Sequence, residues 1–409
     1  MASTTSFRDA LSKNRPAAGG LQSRLGDPSS DFLLSHDVLA ASSPPAFPAL
    51  ARAGIGAAPR LFVASLMGDD GRRPGDPNAF RALPDPGPAD YVPANFWATS
   101  QIFLTEETGR IVQPALLKPG ETYCLAAIVG NGGDAGAGRA VAGQRPIEVR
   151  CEALAFSTCI APATPLPPLL NPDSLHADPV HELPHLDKQS RDVAGFHLDV
   201  DKVHAALAAA LGDADIDLGG LTPQEWLKDS PPSLKVAVSG GEGAPLAPGS
   251  TPRLDCRIAR RNLAPLELSQ TGGRQIVWRN FVVAQVGTGA NQISLQHELP
   301  GEAFRLYLAI PGHAYQRHVA GGGTLVGFER VRTVAAKPIA EPILLRQSKP
   351  GAYLQVAAHE TERFLGLSLG LEWIPRHPAS WSRLSDISVV HSAADGSVVG
   401  GFTLQLRAA

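Results

Sequence analysis

Leu365-Gly366-Leu367-Ser368-Leu369-Gly370-Leu371-Glu372 admits two readings, and the choice between them decides the fold. Gly366 to Gly370 matches the G-x-S-x-G nucleophile elbow, and Asp386 and His391 follow in hydrolase order. That elbow needs its serine on a strained turn between a strand and a helix, with the hydroxyl exposed. Here leucine recurs at 365, 367, 369 and 371, while Gly, Ser, Gly and Glu fill the places between. A period of two is a strand period, and it runs straight through the motif. No helix follows, because Pro375 and Pro378 intervene. The span of 23 residues from Ser368 to His391 is too short for the usual βαβ scaffold. The stretch reads as a strand with Ser368 on its polar face. A serine hydrolase using Ser368, Asp386 and His391 is kept as a second alternative.

Outward from this strand, the same pattern repeats. Leu61 to Leu66, Phe96 to Thr105, Thr122 to Val129, Ile147 to Phe156 and Val193 to Val200 alternate between turn signals. So do Leu234 to Ser239, Arg253 to Arg260, Gln275 to Val286, Gln292 to Leu299, Phe304 to Ile310 and Thr324 to Val334. Ile343 to Gln347, Ala352 to Ala358, Asp386 to His391 and Ser397 to Leu406 complete the series, the last two flanking Asp395-Gly396. Gly400-Gly401 within the last strand predicts a bulge or a close backbone approach. Short strands with Pro/Gly turns and no helices between them form sandwiches. Helices are expected at Asp201 to Leu211 and from Thr222, where Thr222-Pro223-Gln224-Glu225 is a capping box, with a short helix at Ser6 to Asn14 and a weaker helical patch at Asp31 to Ala41 in the arm. The fold expected is all-β: tandem immunoglobulin-like β-sandwiches with an N-terminal arm and a short helical connector. The division expected is an arm over 1–55, a sandwich over 56–200, a connector over 201–230, a sandwich over 231–337 and a C-terminal β-domain over 338–409, which is one unit with 231–337 in an alternative division.

Composition narrows the function classes. Among 409 residues, 41 are Gly and 36 are Pro, and only 18% are charged. This excludes a collagen, a coiled coil and a polybasic nucleic-acid binder. Net charge is −3, and the basic groups Arg72-Arg73 and Arg257, Arg260, Arg261 are short, so no nucleic-acid partner is expected. Four cysteines form no C-x-x-C pair, which excludes a zinc ribbon. No signal-peptide layout and no apolar run of membrane-spanning length are found. Cytoplasmic synthesis is the expectation, with release from the cell as part of a particle allowed.

Lys118-Pro119-Gly120-Glu121-Thr122-Tyr123-Cys124-Leu125-Ala126-Ala127-Ile128-Val129-Gly130-Asn131-Gly132-Gly133 leads to Gly138 through small residues. This segment is similar to the CARDB-type immunoglobulin-like β-sandwich of bacterial surface and modular proteins. The resemblance spans about residues 95–200 and rests on a Pro-Gly entry, an alternating strand and an Asn-x-Gly-type turn. It implies a seven-stranded scaffold with no catalytic residues of its own. The Pro-rich stretch 161–187 departs from the pattern. Pro-Gly turns that feed strands recur at Pro248-Gly249 and Pro350-Gly351.

Three further patterns carry candidate chemistry. Asp213, Asp215 and Asp217 are spaced like the first ligands of a calcium loop, yet Leu218 stands where that loop needs Gly and Gln224 where it needs Glu. His176, His181 and His185 cluster, with three imidazoles enough for zinc, but Pro179 and Pro184 break any helix that would align them. Trp97, Trp278, Trp373 and Trp381 lie in or beside strands, where tryptophan anchors a core or lines a sugar-binding face. Gly130-Asn131-Gly132-Gly133 opens like a dinucleotide fingerprint but leads to a hairpin loop, not a helix. No cofactor is expected. The function expected is non-catalytic: a structural or interaction protein with protein partners, assembling into a larger bacterial or phage-derived particle through its arm and strand edges. A carbohydrate- or calcium-binding module is the first alternative.

Overall fold

The computed structural model describes residues 61–64, 99, 101–105, 111–112, 119–154, 163–165, 180–214, 216–230, 233–241, 256–262, 265–268, 275–285, 288–297, 304–334, 337–357, 364–373, 385–394, 396 and 398–408. The arm over 1–55 lies outside them. The elements are overwhelmingly strands, so the fold is all-β as the alternation required. Two compact units alternate along the chain. The first draws on Met1–Glu152, Pro165–Asp201 and Leu234–Arg261, the second on Ala153–Thr164, Lys202–Ser233 and Asn262–Ala409. This division differs from boundaries at 200 and 231, because the chain returns to the first unit after its helical segment.

The first unit contains β1 (Leu61–Val63), β2 (Ile102–Thr105), β3 (Ile111–Val112), β4 (Thr122–Asn131), β5 (Ala137–Gly138) and β6 (Arg145–Leu154). Then come β7 (Ala163–Pro165), whose first two residues fall in the second unit, β8 (His181–Leu183), β9 (His185–Leu186), β10 (Ser190–Asp199), β11 (Ser233–Gly241) and β12 (Ile258–Asn262). One sheet runs β1-β4-β2-β3 with β10 on β4, and the other runs β12-β11-β6-β7 with β8 on β6. Strand β4 is buried on both faces because β10 pairs along its whole length and apolar groups cover each side. On one side Ala126 and Ile128 pack with Phe62 and Phe103. The ring of His181 in β8 lies 6.1 Å from that of Phe196 in β10, so the two sheets meet. Asn131, fully buried, clamps the turn that the sequence marks: its amide donates to Ala135 O at 2.8 Å and its Oδ1 accepts from Gly133 N at 3.0 Å. The Pro-Gly entries hold Gly120 at φ 80° and Gly351 at φ 68°, which only glycine adopts freely. Pro248-Gly249 is outside the described residues.

The second unit contains the helices α1 (Val200–Asp213) and α2 (Pro223–Lys228), then β13 (Pro265–Leu268), β14 (Gln275–Ala284), β15 (Asn291–His297) and β16 (Phe304–Pro311). A helical turn, α3 (Gly312–Tyr315), runs on as a π-helical turn through Ala320. After it come β17 (Thr324–Val326), β18 (Phe328–Val331), β19 (Pro342–Gln347), β20 (Tyr353–Val356), β21 (Phe364–Trp373), β22 (Ser385–Ser392) and β23 (Val398–Ala408). A six-stranded sheet, β13-β23-β22-β15-β20-β17, faces a five-stranded one, β14-β21-β16-β19-β18. They share one core, with Phe281, Leu308 and Leu367 from one sheet against Ile293, Val389 and Phe402 from the other. Residues 231–337 and 338–409 therefore do not form separate domains: β16 pairs with both β19 and β21.

The helical segment is part of this unit rather than a spacer. Thr222 and Glu225 form the expected capping box on α2. Trp226, fully buried, follows, and its carbonyl accepts from Asn280 Nδ2 at 3.1 Å. The segment covers the outer face of β14 and β21, so the face read as polar is buried. The stretch Thr324–Val334 is two strands, because Gly327 at φ 72° turns the chain from one sheet to the other. The turn at α3 gave no signal in sequence, as no side chain caps it. The expected irregularity near Gly400 is present as a register shift opposite His391 and Ser392.

Candidate functional site

Ser368 sits in the middle of β21, opposite Asn280 of β14, fully buried, and its Oγ donates to Asn280 Oδ1 at 2.6 Å. His391 lies in β22, in the opposing sheet, with Nε2 2.8 Å from Asn291 Oδ1. The structure does not bring the serine and the histidine together; each meets an asparagine of its own sheet. Asp386 pairs through its backbone with Gln405, and its side chain is outside the described residues. The two glycines of the motif have a packing cause. A Cβ on Gly366 would stand 2.7 Å from Asp217 O, and one on Gly370 would stand 2.6 Å from the Trp278 ring. They make room for the helical segment and for an indole, not for an elbow.

Beside them lies a polar group that the alternation did not single out. Glu372 is 1% exposed, and Tyr307 Oη donates to its Oε2 at 2.6 Å, with Arg305 Nη1 at 3.8 Å. Burial, then the hydrogen bond and charge of Glu372, push the Tyr307 phenol above its ordinary range. It is a hydrogen-bond donor rather than a nucleophile. The Cys151 thiol is likewise pushed up, first by burial and then by the charge of Glu152, which keeps it protonated and inert.

The other candidates are dispersed. His181 packs on Phe196, and burial lowers its pKa. His185 Nε2 meets Asp187 Oδ1 at 2.9 Å from β9, which pairs with β5 rather than with the sheet that holds His181. His176 is outside the described residues. Asp213 ends α1, and Asp217 Oδ1 accepts from Gly219 N at 2.9 Å; Asp215 is not among the described residues. Among the described residues no three His, Cys, Asp or Glu side chains are grouped to hold a metal ion. Trp278 and Trp373 are both buried, while Trp97 and Trp381 fall outside the described set. No described helix is long and apolar enough to cross a membrane.

What the second sandwich does present is an open corner. Strand β17 ends the six-stranded sheet and β18 ends the five-stranded sheet, and Gly327 alone joins them. The turn is tight: a Cβ on Gly327 would stand 3.0 Å from Ala352, and Gly327 O accepts from Ser348 N at 2.8 Å. Strand β17 pairs with β20 through Leu325↔Leu354, and β18 pairs with β19 through Glu329↔Arg346, where the side chains form an ion pair. Among the described residues neither strand has a pairing strand on its other side, where every second residue turns its N–H and C=O outward. Val326, at 39%, is the exposed large apolar side chain among the described residues.

No protein-family model matches the chain, and no curated protein matches it. Solved structures overlap it weakly. The collagen-binding subdomain of the Enterococcus faecalis surface protein ACE is 10% identical, covering 35% of this chain and 93% of its own, at a TM-score of 0.20. The collagen adhesin CNA of S. aureus is 6% identical, covering 75% and 91%, at 0.20. The CupB6 tip adhesin of Pseudomonas aeruginosa is 10% identical, covering 73% and 92%, at 0.15. Superpositions this loose carry no argument about fold or function.

Proposed function

We propose that this is a non-catalytic interaction protein, a β-sandwich scaffold that joins a larger bacterial or phage-derived particle through its arm and its strand edges. The supporting observation is the corner at Gly327, where among the described residues both sheets of one sandwich end in adjacent strands paired on one side only. Natural proteins usually cover or blunt such edges, and an open one is a template for another chain. The CARDB-type reading of residues 95–200 belongs with this proposal, since it implies a scaffold without catalytic residues. Light scattering after size exclusion tests it. The full chain, 42.9 kDa as a monomer, is expected as an assembly that falls to the mass of a single truncated chain when residues 1–55 are removed. A monomer at every concentration, with or without the arm, would sink it.

A further inference from the structure

We propose that the β18 edge docks an extended acidic segment of another protein as an added strand, with a carboxylate set against Arg330 and a second within reach of Arg332. The inference rests on the interaction reading and deepens it by naming the chemistry of a partner at one edge. The register defines what the edge offers. Gly327 O accepts from Ser348 N at 2.8 Å, so that pair is hydrogen-bonded, and the same parity continues as Glu329↔Arg346 and Val331↔Leu344. The alternate residues Phe328 and Arg330 therefore turn N–H and C=O away from β19, and among the described residues no strand takes them up. Side chains divide the same way. Phe328 packs on the core of the sandwich and Arg330 shares its side, while Val331 on the other side packs with Trp278 and Tyr307.

Charge selects the occupant. Arg330, and Arg332 just beyond the strand, are exposed, and neither has an ion-pair partner among the described residues. From Thr324 to Lys349 the chain holds five basic and two acidic residues, in a protein of net charge −3. One of those acids, Glu329, is already paired with Arg346. The edge is a local positive strip, which repels a second copy of itself. An antiparallel two-fold pair keeps each face on its own side, so its centre falls on a residue. Centred on Arg330 or Val331 it sets arginine opposite arginine, and centred on Glu329 it sets glutamate opposite glutamate; like charges directly opposite destabilise. A centre on Phe328 runs off the strand at Gly327. An acidic strand removes the conflict. Running antiparallel, it needs an acid opposite Arg330, apolar residues opposite Val331 and Phe328, and no acid opposite Glu329. A linear sulfated glycan would match the charge but not the outward N–H and C=O of Phe328 and Arg330, which a polypeptide backbone satisfies.

The test uses the full chain and a fluorescein-labelled peptide, Thr-Glu-Val-Glu-Thr-Val-Thr, read by fluorescence anisotropy at low salt. The wild type is expected to bind it, and Arg330→Glu with Arg332→Glu to weaken binding about tenfold or more. A peptide with Lys in place of both Glu is expected to prefer the variant. Thermal melts of the variant control for folding and should match the wild type, because both side chains are exposed. Methylating the backbone nitrogen of the peptide's second Glu keeps its charge and removes one ladder hydrogen bond, so it is expected to weaken binding as well. Hydrogen exchange should show the Phe328 and Arg330 amides protected by the parent peptide. No binding by the wild type, or binding that the arginine variant keeps, overturns the contact. Equal binding of the methylated peptide, or of dextran sulfate with the same dependence on the arginines, overturns the added strand in favour of a general polyanion site. Mass by light scattering is read separately: a chain that assembles but does not bind the peptide sinks this contact alone, and a chain that is always monomeric but binds it sinks self-assembly alone.

Discussion

Glu372 shows what a single buried charge demands. Its carboxylate is taken out of water and held by the Tyr307 hydroxyl. Tyr307→Phe is expected to destabilise the second unit by about 1–3 kcal/mol at neutral pH, because the buried carboxylate loses the hydroxyl that donates to it. The effect carries a pH signature. The phenol titrates above its ordinary value of 10.0 in the folded chain, so as pH rises the unfolded chain loses its proton first. The stabilisation is complete below about pH 10 and disappears above it. Urea midpoints of wild type and variant should converge as pH rises from 8 towards 12; a constant gap would mean that Tyr307 only fills space. Ser368 is the neighbouring lesson. Its hydroxyl is spent on Asn280, which the one-dimensional motif could not reveal, because that partner lies 88 residues away.

Among the elements, β23 ties the second sandwich together. It pairs antiparallel with β22 and parallel with β13, so it lies between strands far apart in sequence. It also places Phe402 and Leu404, both fully buried, in the shared core. Burying a phenylalanine is worth about 3–5 kcal/mol by truncation, against about 5–15 kcal/mol for a whole domain. A chain stopped after Gly396 is therefore expected to lose the second unit cooperatively. Near-UV circular dichroism would show loss of the signal from Trp226, Trp278 and Trp373, all in that unit; a retained signal would show that β23 is dispensable. Such strands were legible in sequence where one face was apolar. The kink at Gly327 was not, since Thr324 to Val334 alternates through it and only the path between two sheets requires the turn.

For the whole molecule, the two units should fail at opposite ends of the pH range. The first unit half-buries His181 against Phe196, and this desolvation lowers its pKa from 6.5. As pH falls, the unfolded chain takes up the proton first, so this stabilisation is present above about pH 6.5 and is lost below it. His181→Phe keeps a ring on Phe196 and removes the titration. The wild type is expected to lose stability between about pH 7.5 and pH 5 by more than the variant does, measured by chemical denaturation. Equal losses would assign the acid sensitivity elsewhere.

The sequence by itself determined the all-β class, most strand positions, the capping box at Thr222 and the turns at Gly120, Asn131 and Gly351. These are local: a period of two, a cap and a positive φ are properties of neighbouring residues. Tertiary structure alone decided the rest. It buried the second face of β21 under the helical segment, because the chain returned there from residues more than a hundred positions earlier. It gave the 201–230 segment to the second unit and residues 234–261 to the first. It parted Ser368 from His391 into opposing sheets, and among the described residues it left β17 and β18 at the ends of theirs. Pairing partners and sheet edges are set by contacts between distant segments, and no local pattern encodes them.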